Sequence, residues 1–129
     1  MVDYIIDTYA WIEYFLGSKK GDVLKEMFLD EAKEFFTVEC CLAEIRGWSL
    51  KNNKDFEKIL KIIKANSSMI YLTEQDWIKA GEARHEQRKM QKDFGLIDAV
   101  ILVKQKESSA KVISGDLHFK ALKNVIFLE

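Results

Sequence analysis

Apolar positions along the chain fall into two rhythms, short continuous runs and longer stripes at helical spacing, and the two alternate. Tyr4-Ile5-Ile6 is an apolar run closed by Asp7, which predicts a buried strand. From Thr8 to Leu16 the residues Trp11, Ile12, Phe15 and Leu16 share one side of a helix, with Gly17 as its stop. Val23, Leu24, Met27 and Phe28 mark a second helix. Phe35 to Val38 predicts a second strand, and Cys40, Cys41, Glu44, Ile45 and Trp48 fit a third helix. A fourth carries Phe56, Ile59, Leu60, Ile62 and Ile63 and is entered through Asn53 or Asp55. Met69 to Leu72 predicts a third strand. Thr73-Glu74-Gln75-Asp76 has the form of a capping box with Asp in third place. It opens a long helix that the stripe Trp77, Ala80, Ala83, Met90 and Phe94 extends to about Phe94. Gly95 breaks that pattern. Leu96 to Lys106 is apolar nearly all round, which predicts a central, buried helix. Val112 to Ser114 and Val125 to Leu128 predict the last strands, with a turn at Gly115-Asp116 and a short helix from Leu117 to Leu122 between them.

This alternation implies an α/β fold, a mostly parallel sheet of about five strands with helices on both faces, in one domain over residues 1–129. In such sheets a ligand crevice lies beyond the carboxyl ends of the strands. With 129 residues and 48% hydrophobic content, the chain can bury a core without a disulfide or structural metal. Cys40 and Cys41 are adjacent, which suits neither a framework bridge nor a zinc site; small apolar fillers are the better reading. Twenty Lys and Arg against 21 Asp and Glu leave a net charge of −1, excluding a strongly basic nucleic-acid wrapper or an acidic tail protein but not a local patch. The absence of proline excludes Pro-rich linkers and PxxP ligands. No apolar run approaches the ~20 residues of a membrane span. Met1-Val2-Asp3-Tyr4 lacks the basic start of a secretory leader, so a cytoplasmic location is expected.

The chemistry lies in four carboxylates. Two strands end in an aspartate, Asp7 directly and Asp116 after a tight turn, and the sheet rule brings both to one edge. Glu44 and Asp98 sit inside apolar helical segments, where a charge must be paired, hydrated or metal-bound. No Lys or Arg lies within a turn of Asp98. Asp7 and Asp116 also suit N-caps, and Asp98 the positive end of its helix. Taken together, like charges crowded into one crevice need a cation to join them. Hard oxygen ligands select Mg²⁺ or Mn²⁺ over zinc.

Ile6-Asp7-Thr8-Tyr9-Ala10-Trp11-Ile12 resembles the opening motif of PIN-domain nucleases. Thr37-Val38 followed by Leu42-Ala43-Glu44-Ile45 resembles that family's second acidic motif. Gly95 to Leu102 around Asp98 is similar to its third, and Ser114-Gly115-Asp116-Leu117-His118-Phe119 to its fourth. The four stand in register along essentially the whole chain, and the compact length resembles the VapC-type toxins. The resemblance implies a three-layer α/β/α sandwich and a metal-dependent ribonuclease, the toxin of a toxin–antitoxin pair. It makes Asp7, Glu44, Asp98 and Asp116 the metal-binding and catalytic acids, around one or two Mg²⁺ or Mn²⁺ ions. Thr8 and Ser114 would steady them; Ser114 stands where threonine is common. His118 stands where some relatives carry another carboxylate. The implied partners are RNA, a second copy of the chain and an antitoxin, with no membrane.

An acidic pocket repels phosphate, so basic residues are needed at its rim. Arg46 stands two residues from Glu44, and His118 and Lys120 follow Asp116. Arg84, Arg88 and Lys92 recur at helical spacing along the fifth helix, an arrangement that also fits an ordinary solvated face. Trp11, Tyr14, Phe15 and Trp48 suit packing better than base stacking. Competing chemistries fit less well. A haloacid dehalogenase-type phosphatase needs a second aspartate where Tyr9 stands, and a receiver domain needs an acidic pair for which Asp3 comes too early. The alternative from a different class is a non-catalytic PIN-like module that binds RNA or protein.

Overall fold

A computed structural model describes residues 2–129; Met1, where the expected leaderless start begins, lies outside them. The elements run β1 (Val2–Ile6), α1 (Thr8–Leu16), α2 (Lys19–Met27), β2 (Lys33–Val38), α3 (Cys41–Lys51), α4 (Phe56–Asn66), β3 (Ser68–Ile70), α5 (Glu74–Gln87), α6 (Leu96–Ser108), β4 (Lys111–Ser114) and β5 (Val125–Phe127). The strands form one sheet in the order β3-β2-β1-β4-β5. All four pairings are parallel, so the sheet is uniformly rather than mostly parallel. Parallel neighbours need crossover helices, and right-handed crossovers put α1 to α4 on one face and α5 and α6 on the other. The packing agrees: α1 meets α2 and α3, α3 meets α4, and α5 lies along α6.

Burial explains the strands. Ile5, Ile6, Val38, Val112 and Ile113 are fully enclosed, as expected of strands covered on both faces. α6 is the buried helix its composition required, with Ala99 to Val103 and even Gln105 inside. Gln105 satisfies its amide by donating to the Lys123 and Asn124 carbonyls. On the opposite face Trp11 packs against Tyr14, Phe15 and Phe28. These rings are core, as their spacing suggested. The enclosed Trp11 indole donates to Thr37 Oγ1 at 3.0 Å, and Thr37 in turn shares a 2.7 Å hydrogen bond with Ser67. A buried N–H requires such an acceptor.

Several boundaries differ from expectation, and three of them stand out. β3 ends at Ile70 rather than Leu72, because the Leu72 N–H is taken by Glu39 Oε1 at 2.7 Å instead of a neighbouring strand. The last helical stretch is a single 3-10 turn, Leu117–Phe119, rather than a helix to Leu122. Most consequentially, α5 stops at Gln87 and not near Phe94. It starts as expected, with Thr73 and Asp76 forming the reciprocal capping box, and Asp76 also lies 2.8 Å from Lys104 Nζ on α6. Its docking face is Asp76 and Ala80, so Trp77 turns outward. Beyond Ala83 the expected stripe finds nothing to pack on: Met90 is 78% exposed. A helix without a buried face has little to hold it, and the chain instead drops Phe94 into the core against Phe119. Among the described residues no helix is long and apolar enough to cross a membrane.

The Trp11–Thr37 bond gives a direct check. Thr37→Val keeps the shape but leaves the enclosed indole N–H without its acceptor, and should lower unfolding free energy by about 1–3 kcal/mol in urea titrations. Unchanged stability would mean the indole finds another acceptor.

Candidate acidic functional site

Strand order reverses between β1 and β4, where β2 and β5 continue outward on opposite sides. A crevice opens at such a point beyond the strand ends. Asp7 follows the last residue of β1, and Asp116 lies two residues past β4. Helices antiparallel to the strands bring their first turns to the same edge, so Glu44 of α3 and Asp98 of α6 arrive there too. The four acids line one cavity of about 190 Å³ together with Thr8, Tyr9 and Ile101.

Each carboxylate is held differently. Asp7 is 3% exposed. It is the N-cap of α1, accepting from the Ala10 N–H at 2.9 Å, so the cap reading and the site reading describe one residue. Burial, with Asp116 and Asp98 nearby, pushes its pKa up to about 7, although the Ser114 hydroxyl and the Ala10 N–H favour the charged form. Ser114 also accepts from the Asp116 N–H at 2.9 Å, bridging the two strand-end acids. Glu44 stands at the exposed lip of the pocket, yet enough protein surrounds its carboxyl for desolvation to raise its pKa. Thr8 Oγ1 donates to Glu44 Oε1 at 2.6 Å and partly opposes that rise. Asp98 is likewise raised by desolvation and by Asp116, against a hydrogen bond with His118. Asp116 caps the 3-10 turn by accepting from the His118 N–H.

His118 is the partner that Asp98 lacked in sequence. Its Nδ1 lies 2.8 Å from Asp98 and 3.3 Å from Asp116, and its Nε2 lies 3.2 Å from Asp93. Burial alone would lower its pKa, but the bond to Asp98 and the field of Asp116 raise it overall. When protonated, His118 offsets part of the repulsion among the acids. The structure sets His118 against the carboxylates, and His118 also lines the cleft that adjoins their pocket.

None of the basic candidates is in the lining of the acid pocket itself. Arg46 is two residues from Glu44, which on a helix is nearly the opposite side, and its guanidinium lies over the Phe56 ring at 5.2 Å. Lys120 lies over the Phe127 ring at 5.8 Å. Arg84, Arg88 and Lys92 form no helical stripe, because Arg88 is the C-cap of α5 and Lys92 lies beyond it; Arg88 Nε donates instead to the Phe94 carbonyl. The cation that does stand beside the site is Lys20, which lines an adjoining cleft with Tyr9. Sequence reasoning passed over it because it lies on a different helix from Asp7, and only the packing of α2 on α1 brings it to the site.

The donor set fits a hard or borderline divalent cation. Ligand atoms of Asp98, Asp116 and His118 lie within 4.8 Å of one another, and Asp7 shares a pocket with the two aspartates. Thiolate is absent from this set: Cys41 is buried and its thiol is pushed up by its contact with Cys40 and by burial, so it stays protonated. The carboxylate oxygens suit Mg²⁺ or Mn²⁺, while His118 Nδ1 is engaged with Asp98.

The raised Asp7 pKa has a thermodynamic consequence without metal. A carboxyl whose folded pKa exceeds its unfolded value destabilises the folded state increasingly as pH rises from the unfolded value of 3.8 to about 7, by at most about 1.4 kcal/mol per pH unit. Asp7→Asn keeps the N-cap and removes the charge. In EDTA it should therefore unfold at higher denaturant than the natural protein at pH 8, and match it near pH 4. Equal pH profiles for the two proteins would contradict this.

The PIN domain family model matches residues 4–125 of the chain. No curated protein matches it in sequence. Solved structures similar in fold include the following three. VapC20 of Mycobacterium tuberculosis, a sarcin-ricin loop cleaving toxin, shares 14% identity with a TM-score of 0.78, covering 98% of this chain and 99% of that one. VapBC2 from Rickettsia felis, bound to a DNA fragment from its promoter, shares 18% with a TM-score of 0.72, covering 98% and 97%. A toxin–antitoxin complex from Klebsiella pneumoniae shares 16% with a TM-score of 0.69, covering 98% of each chain. With the family match spanning nearly its whole length, this chain belongs to the PIN-domain family.

Proposed function

We propose that this protein is a metal-dependent ribonuclease that hydrolyses RNA phosphodiester bonds as the toxin of a toxin–antitoxin pair. PIN domains are a nuclease family. The observation that carries the proposal is the convergence of Asp7, Glu44, Asp98 and Asp116, from four separate segments, on one pocket where strand order reverses. Burying carboxylates together is costly, and a folded protein retains such an arrangement where a cation offsets it.

Asp7, Asp98 and Asp116 would hold Mg²⁺ or Mn²⁺, Asp116 directly or through water. When bound, the ion supplies an acidified water and neutralises charge on the phosphoryl oxygens. Glu44 orients the attacking water; Thr8 occupies its Oε1, and Oε2 is the oxygen left for that task. Ser114 keeps Asp7 and Asp116 in register. His118 fixes the Asp98 carboxylate from one side. In-line attack leaves a 5′-phosphate on one product. An antitoxin as inhibitor, a homodimer and a cytoplasmic setting complete the proposal; the toxin–antitoxin complexes among similar folds support the antitoxin.

Purified protein should cleave RNA with Mn²⁺ or Mg²⁺ and stop in EDTA. Residues that merely support metal ligands cost ~10–100-fold when changed, so Asp98→Asn should lower kcat by more than about 10²-fold. Full activity of that variant, or activity in EDTA, would refute the proposal. Tight RNA binding without cleavage would favour a non-catalytic module instead.

A further inference from the structure

The acid pocket continues into a larger cleft of about 770 Å³, and the two share Tyr9 and Asp116 as walls. That volume falls within the ~300–1,000 Å³ typical of ligand sites. Two close approaches build the partition. A Cβ on Gly115 would lie 2.3 Å from the Tyr9 ring, so the ring rests directly on the backbone that carries Asp116. A Cβ on Gly21 would lie 2.2 Å from the Glu13 carbonyl, so α2 packs on α1 at backbone distance. That packing brings Lys20, at the start of α2, over Tyr9: Nζ donates to the Tyr9 hydroxyl at 2.9 Å and lies 5.4 Å from the ring centre.

Lys20 is the one lysine or arginine lining either cavity among the described residues. Its bond to Tyr9 uses one of three ammonium donors. Of the cleft's acids, Asp93 is paired with His118, while Glu129 lies near enough to help keep Lys20 charged. Leu117, 74% exposed, and Phe127 add apolar surface. A fixed ammonium beside apolar walls, one side chain away from the acids, suits a phosphate with its attached nucleoside.

We propose that this cleft is the seat of the nucleotide next to the scissile bond of single-stranded RNA, with Lys20, positioned by Tyr9, holding its phosphate. The proposal rests on the ribonuclease assignment and adds to it the direction in which the strand leaves the acids. It replaces the stripe of Arg84 and Arg88 as the source of backbone contacts.

The test uses the full chain, a short fluorescent oligoribonucleotide and Lys20→Gln, with Lys25→Gln as a control for lost charge on the exposed side of α2. Lys20→Gln should raise KM about tenfold or more, as expected for a lost bond to a charged group, with kcat within about twofold. It should also reduce the slope of log affinity against log salt by about 0.7, one phosphate contact to a single strand. Lys20→Arg should restore most of the affinity, and Tyr9→Phe should weaken it less than Lys20→Gln does. If the natural protein cleaves RNA while Lys20→Gln keeps its KM and salt slope, the cleft assignment is overturned and the ribonuclease assignment stands. If the natural protein cleaves nothing, anisotropy binding decides: weaker binding by Lys20→Gln alone upholds the cleft, equal binding by all variants overturns it. A natural protein that neither cleaves nor binds overturns both.

Discussion

Electrostatic repulsion at the reversal of strand order is the constraint around which this fold is arranged. Asp7 cannot leave the site, since it caps α1 and directly follows Ile5 and Ile6, which are fully enclosed. Nor can Asp98, set by the first turn of the most buried helix. The fold meets their proximity with the Ser114 hydroxyl, the Thr8 hydroxyl and the His118 imidazole, each placed against a carboxylate. These groups reduce the tension and leave part of it in place. A centre that is incompletely neutralised by its own side chains retains affinity for a small cation, and a centre fully satisfied by arginine would not.

The two sides of the sheet serve different ends. The aromatic group around Trp11 locks α1 against β2 and so fixes the direction in which Asp7 and Thr8 emerge. On the far side, α5 grips α6 through Asp76 and Lys104, which steadies the helix that presents Asp98. Stability and chemistry are therefore spatially separated but mechanically joined: the groups at the strand ends are only as well placed as the helices that lead into them.

Much of this was legible in the amino-acid order. Continuous apolar runs ending in aspartate gave the parallel strands and the edge at which the acids gather, because both follow from local pattern and a general rule of α/β sheets. The same rule brought Asp7 and Asp116 to one edge; that Glu44 and Asp98 join them was implied by the resemblance of their motifs to the family's. What escaped was set by non-local geometry. The end of α5 depended on whether Met90 would find a surface, which no local pattern records. Arg46 was drawn toward the site by its nearness in sequence, whereas helical geometry turned it to Phe56. Lys20 was invisible because its place follows from a helix–helix approach that Gly21 permits, 96 residues before Asp116, with which it lines one cleft.

The pairing of β1 with β4 joins Tyr4 to Lys111. Nearly the entire chain must therefore be present and ordered before Asp7 and Asp116 can share a pocket. Loop closure over such a span is slow compared with local helix formation. During synthesis the earlier elements can collapse around Trp11 while the chemistry still has no place to occur. On the proposed ribonuclease reading this amounts to a built-in delay, since the acids cannot share a pocket until β4 has been made.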